Sequence, residues 1–245
     1  MPFSQDSKGL RRPLADIFHN EVTAWVILAV SLALTGLGWF VSETYVAKRA
    51  EERFAFEAAE ARDRILARMR DYEQVLRSGV ALFSTLKREP RREEWHTFVE
   101  SLQIEREFPG IQGMGYAIML RPDEVDAHVA AIRAEGFPGY TVKPDGARET
   151  YSAIIYLEPF DWRNQRAFGY DMYSNATRRQ AMDHARDTGV ATVSGRVTLV
   201  QETNKDVQAG FLVYLPVYRG GIVPDDVAQR RSALMGFVYS PFRMA

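Results

Sequence analysis

The chain has 245 residues, 46% of them hydrophobic and 26% charged, with 31 Lys+Arg against 32 Asp+Glu and a formal net charge of -1. This composition belongs to a folded chain and excludes a wholly disordered one. The near-zero balance excludes a global nucleic-acid binder, which needs a basic surplus. The absence of cysteine excludes disulfide frameworks, thiol nucleophiles and cysteine-based zinc or iron–sulfur sites.

The first element is an apolar run, VTAWVILAVSLALTGLGWFV, over 22–41. It carries no charge, and as a helix it reaches about 30 Å, the thickness of a bilayer's hydrocarbon core. Trp25 and Trp39 sit near its ends, where amphipathic rings favour the interface. A cleaved signal peptide is the rival reading. The run is longer than the usual ~7–15-residue apolar core of such peptides and follows a polar tail, so it reads as a retained anchor. Lys8, Arg11 and Arg12 before the span nearly balance Lys48, Arg49 and Arg53 after it. Charge bias therefore does not set the orientation; a cytoplasmic N-tail over 1–21 is the expectation.

Residues 43–89 contain no Pro and a single Gly, Gly79. Phe54, Ala58, Ala61, Ile65, Met69, Tyr72, Leu76, Val80 and Phe83 recur at an average spacing of about 3.6, the α-helical period. Interleaved charges include the i,i+4 pairs Glu60–Arg64 and Glu73–Arg77. A stalk helix is expected, either a dimeric signalling stalk or a helix packed on its own domain. Pro90 ends it, and a second amphipathic stretch runs from Arg91 to Glu107 before Phe108-Pro109-Gly110.

Strands and helices then mix. Strands are expected over 111–120, 140–143, 151–157, 190–194, 196–200, 210–218 and 234–239. A helix opens at Pro122-Asp123-Glu124 and closes at Gly136. Another is capped by Ser174 or Asn175, runs to Thr188 and stops at Gly189. Short turns between strands point to antiparallel sheets and an α+β fold.

The blocks GIQGMGYAIML (110–120), YLEP, GYD, ARDTG, SG, QE and GFLVYLPVYRGG (210–221) occur in this order along the chain. They closely resemble the CHASE domain, a sensor of receptor histidine kinases, diguanylate cyclases and adenylate cyclases that lies outside the cytoplasm. The resemblance covers roughly 80–245. It implies a long N-terminal helix followed by two PAS-like modules, the membrane-distal one holding the ligand and the second incomplete here. The expected organisation is an N-tail over 1–21, a transmembrane helix over 22–41, a stalk helix over 43–89 and a CHASE-like sensor over 90–245. It further implies a second transmembrane helix and a cytoplasmic output domain beyond this stretch. The chain is then an inner (plasma) membrane receptor fragment with its sensor in the periplasm or outside the cell.

By the same resemblance Asp171 matches the position whose carboxylate binds a purine-like ligand. Two roles fit it: accepting from ligand N–H groups, or capping the helix that begins near Ser174. Thr188, in ARDTG, either affects the pocket or finishes the helix before Gly189. Val193 either points from a strand into the pocket or packs in the core. Gln201, Glu202 and Thr203 offer polar contacts or a solvated turn. Tyr170, with Tyr116, Tyr151, Tyr156, Trp162, Phe168, Tyr173 and Phe211, either stacks on a flat ligand or builds the core. Arg178-Arg179 and Arg186 either steer an anion or form a solvated helix face.

Catalytic patterns are weak. The four His are scattered, with neither an HExxH pattern nor a Gly-x-Ser-x-Gly elbow. Asp183-His184-Asp187 shares one helix, where ordinary surface polarity accounts for it. The expectation is therefore no catalytic residue, no metal and no cofactor. The expected partners are a small molecule, adenine-like or cytokinin-like, the membrane, and a second copy through the stalk, with no nucleic acid. A membrane-tethered exported hydrolase is the alternative.

Overall fold

The computed structural model describes residues 21–201 and 209–243. The N-terminal tail, with Lys8, Arg11 and Arg12, lies outside them, as do Glu202 and Thr203.

Contacts divide the chain into two units, Met1–Leu66 and Ala67–Ala245. In the first, the described residues belong to helix α1, Glu21–Leu86, and none of 21–66 is buried. This helix, 66 residues long, is uninterrupted where the sequence suggested an anchor followed by a separate stalk. Gly36 and Gly38 do not break it, because neither meets a demand for a special backbone conformation and the flanking residues are good helix formers. It ends at Leu86, before Pro90, with Lys87 in the left-handed region at φ 56°. The expected pairs form, Glu60–Arg64 at 3.6 Å and Glu73–Arg77 at 2.5 Å.

The second unit is built on one sheet. After α1 come α2 (Arg92–Ser101), α3 (Ile104–Glu107), β1 (Met114–Leu120), α4 (Val125–Ala134), β2 (Tyr151–Glu158), α5 (Ala176–Thr188), β3 (Thr192–Val193), β4 (Val197–Thr198), β5 (Ala209–Tyr218), α6 (Val227–Ala233) and β6 (Leu234–Arg243). The expected stretch from Arg91 to Glu107 is split by Gln103 at φ 48°. The strands run β2-β1-β6-β5-β3, all pairs antiparallel, with β4 also on β5. The fold is α+β, as expected.

Strands β3 and β4 form two halves of one edge. Between them Ser194 N donates to Leu212 O at 2.8 Å, and Leu212 N donates to the Ser194 hydroxyl at 2.9 Å. The side chain thus substitutes for a carbonyl across the break. Residues 140–143 do not form the expected strand. Tyr140 N is spent on Phe137 O, and Lys143 makes a single bridge, to Tyr170.

Strand β6 sits in the middle of the sheet, between β1 and β5. Phe237, Val238 and Tyr239 are fully buried in succession, as a strand covered on both faces requires. The C-terminal strand therefore completes this sheet, and the described residues form no second sheet.

Side-chain alternation separates two cores. One holds Tyr72, Val75, Leu76 and Phe83 of α1 with Trp95, Tyr116, Leu215, Val238 and Phe242. Gly79 lets α1 approach: a Cβ there would fall 3.1 Å from Val238 Cγ1 and clash with the Met114 methyl. The other core lies under α5 and holds Ala117, Ile154, Met172, Ala181, Met182, Ala185, Leu212, Tyr214, Phe237 and Tyr239.

Candidate functional site

Helix α5 forms because both of its ends are satisfied locally. The Asn175 side chain accepts from Arg178 N at 3.1 Å, and Gly189 closes the helix at φ 76°. Its apolar face then covers the sheet, and the polar groups of interest gather on that side.

Asp171 is the centre of one group. Residues 169–171 run beside the outer edge of β2: Gly169 N donates to Ile154 O at 2.9 Å and Ile154 N to Tyr170 O at 3.2 Å. This pairing turns the Asp171 side chain inward, where it is 0% exposed. Its Oδ1 accepts from Ser152 N at 2.9 Å, the Ser152 hydroxyl at 3.1 Å and Tyr173 N at 2.9 Å. Its Oδ2 faces Arg148 Nη1 at 3.5 Å and accepts no hydrogen bond. Burial pushes this carboxyl above the ordinary aspartate range, against the opposing pull of Ser152, Arg148 and Tyr173. Asp171 does cap a turn, the short 3-10 segment Met172–Ser174, while Asn175 caps α5 itself.

The second group surrounds Arg178. Its guanidinium is 3% exposed, lies 4.9 Å from the Tyr170 ring centroid and donates through Nη2 to Thr198 O at 2.9 Å. Nearby on the sheet, Tyr214 donates weakly to Met172 Sδ at 3.6 Å, and the buried Tyr239 hydroxyl has no partner. Tyr239 lies against Gly115, where a Cβ would stand 2.7 Å from the ring. Burial raises Tyr214 and Tyr239 above the usual phenol range, so both hydroxyls stay protonated.

The sequence-derived candidates separate in space. Tyr170 and Asp171 stand together, Tyr170 against Arg178 and Asp171 against Ser152. Thr188 is exposed and donates back to His184 O at 2.7 Å, finishing its own helix. Val193 is 49% exposed and pairs with Val213, a member of the α1-side core, so it lies on the sheet face opposite Asp171. Gln201 is buried and lines a different cavity, of about 370 Å³, with Ile104, Gly113, Asp161 and Asn164. Thr203 falls outside the described residues.

Ser152 and Tyr239 were not singled out from the sequence as site residues, and Arg178 was weighed there only with Arg179 and Arg186, as steering an anion or forming a solvated helix face. A signal for Arg178 existed, since Ala181, Met182 and Ala185 follow it at i+3, i+4 and i+7, the same face of the helix. Asp183 and Asp187 spend their carboxylates on Arg186, and Asp187 also on Arg231. No group of three or more His, Cys, Asp or Glu stands ready for a metal among the described residues.

Arg231 and Arg186 hold the Asp187 carboxyl well below the ordinary carboxylate range, tying α5 to α6. A depressed carboxyl contributes stability that is present above its unfolded value and lost as pH falls through the folded one. Melts below about pH 4 are therefore expected to show a shallower acid loss for Asp187→Asn than for the unaltered chain. Parallel acid profiles would remove this ion pair from the account.

Residues 88–245 match the family model of the CHASE domain. The chain belongs to the CHASE domain family. CHASE domains are sensors in signal transduction, typically extracellular, and not catalytic domains. One curated relative, the Hybrid signal transduction histidine kinase A of Dictyostelium discoideum, is 31% identical over 103 residues. That match covers 40% of this chain and 5% of the relative, so the chain spans a small part of that protein's length. Upstream of the CHASE domain, α1 is the one helix among the described residues long and apolar enough to cross a membrane.

Proposed function

We propose that this chain is the sensing end of a membrane-anchored receptor that binds a small molecule on the α5 side of its sheet. Residues 22–41 cross the bilayer, 43–89 form the stalk that pairs with a second copy, and 90–245 lie outside the cytoplasm. A ligand bound there shifts the helices that lead back to the membrane and to a cytoplasmic output domain. The Dictyostelium relative, a hybrid signal transduction histidine kinase, supports a histidine kinase as that output. One antiparallel sheet with a long N-terminal helix on one face and α5 on the other supports a PAS-like module.

The observation that carries ligand binding is the state of Asp171. One carboxylate oxygen takes three hydrogen bonds, and the other is buried with none, facing Arg148 Nη1 at 3.5 Å. An oxygen in that condition is the natural acceptor for the N–H groups of an adenine-like ligand. Tyr170, its neighbour, offers a ring face to a flat molecule.

Two measurements test this reading. Adenine should bind the purified full chain in calorimetry, and Asp171→Asn should weaken it roughly 10-fold or more. Alkaline phosphatase fused after Ala245 should be active and a cytoplasm-dependent reporter inactive. The reverse reporter pattern rejects the topology, and a ligand panel with no Asp171-dependent binder rejects the site.

A further inference from the structure

The condition of Arg178 is harder to explain than that of any other charged group among the described residues. It is 3% exposed, and no carboxylate of the described residues forms an ion pair with it. Buried charges are normally paired. The described acids on and just before α5 are directed at other arginines, Asp171 at Arg148, and Asp183 and Asp187 at Arg186. Its Nε is buried without any hydrogen-bond partner. The hydrogen bond to Thr198 O uses Nη2, which carries two hydrogens and lies on the same edge of the guanidinium as Nε. That edge is the part of a guanidinium that receives a carboxylate bidentately.

Its position in the chain makes the arrangement less favourable still. Arg178 lies in the first turn of the 13-residue α5, where the helix dipole is positive, and that turn contains no acidic residue. A cation is disfavoured there and an anion favoured. A buried cation and a helix N-terminus thus present positive potential to one spot. The unpartnered Tyr239 hydroxyl, on which the Arg178 charge acts, adds a neutral donor in reach of the same charge.

We propose that Arg178 is the binding residue for a carboxylate group on the sensed ligand, received on its Nε–Nη2 edge at the start of α5. This rests on the reading that the α5 side of the sheet binds a small molecule. It goes beyond that reading by making the ligand class an organic carboxylate, with Tyr170 holding the guanidinium plane and Thr198 O fixing its rotation.

Calorimetry and thermal melts of the full chain with acetate, benzoate and glutarate test it, with benzamide as the neutral counterpart of benzoate and inorganic phosphate as a different anion. At least one carboxylate should raise the melting temperature, and benzamide should not. Arg178→Met should weaken that carboxylate roughly 10- to 150-fold. Without ligand, Arg178→Met should melt no lower than the unaltered chain, because it removes an uncompensated charge of similar reach; Arg178→Gln gives a second, polar replacement. If no carboxylate acts, or if phosphate acts and the carboxylates do not, the inference is wrong. Loss of folding in both variants, with no carboxylate effect on the unaltered chain, would make Arg178 structural. Asp171-dependent adenine binding without any carboxylate effect overturns this inference and leaves the binding reading intact. Silence from adenine and carboxylates alike overturns both.

Discussion

Asp171→Ala is expected to destabilise the sensor by about 1–3 kcal/mol, because it strands a buried backbone donor. Ser152 N and Tyr173 N are both directed at Oδ1 and hold β2 to the turn before α5; Tyr173 N also reaches the Ser152 hydroxyl at 3.1 Å, so Ser152 N is the donor left stranded. Relief from burying a carboxylate offsets part of that cost. Asp171→Asn retains an oxygen for both N–H groups but places an amide toward Arg148, so its loss should be smaller. The pH dependence separates the two forms further. Burial raises this carboxyl in the folded state. A raised carboxyl contributes stability that is full below its unfolded value and lost as pH rises through the folded one. The stability of the unaltered chain relative to Asp171→Asn should therefore fall as pH increases from about 4. Urea titrations across that range measure it, and a constant difference would mean the carboxyl is not raised. Ligand affinity supplies the functional arm. If Asp171→Asn loses stability alone, with affinity unchanged, the residue is a cap and not a contact.

Trp95→Ala should cost about 3–5 kcal/mol, the range for truncating a buried large aromatic. Trp95 is 0% exposed and stands between α1 and the sheet, its ring 6.1 Å from Phe83 and 5.7 Å from Tyr156. A Cβ at Gly79 would lie 3.5 Å from the same indole, which marks how closely the helix approaches. The substitution should therefore loosen the C-terminal part of α1 more than the opposite core. Hydrogen exchange would show residues 72–86 losing protection ahead of β5. Equal protection in both would place the tie between helix and sheet elsewhere. In the proposed receptor this is the contact through which a change in the sheet reaches the stalk.

Much of the architecture was legible because its determinants are local. The Asn175 cap and the Gly189 stop bracket α5 to the residue, since each is a hydrogen bond or a backbone conformation within one turn. The uncharged run over 22–41 and the 3.6-residue spacing of α1 are likewise properties of neighbouring residues. The break at Gln103 and the missing strand at 140–143 were less legible. There the backbone groups went to partners that short-range propensity does not name, such as Gly169 O for Lys143 N.

Site residues divide along the same line. Asp171 was proposed through a family resemblance and Tyr170 among the aromatics around it, and the structure places them side by side along β2. Thr188 was proposed from its place in ARDTG and Val193 from its direction in a strand, yet one turns back on its own helix and the other lies on the far face of the sheet. Side-chain direction in a strand depends on register, and a shift of one residue reverses it. Arg178 looked like surface charge because two neighbouring arginines usually are. Its burial required α5 to dock with that face against the sheet.

The sequence by itself therefore determined the long helix, the capped α5, the α+β class and the family, because these depend on local periodicity and on blocks of residues in order. The tertiary structure alone decided that β6 enters the middle of the sheet, that Asp171 buries one oxygen without a hydrogen bond, and that Arg178 lies buried with no carboxylate partner among the described residues. Each of those outcomes depends on pairings between segments far apart in the chain, and burial changes the energy of a charge only once those segments have met.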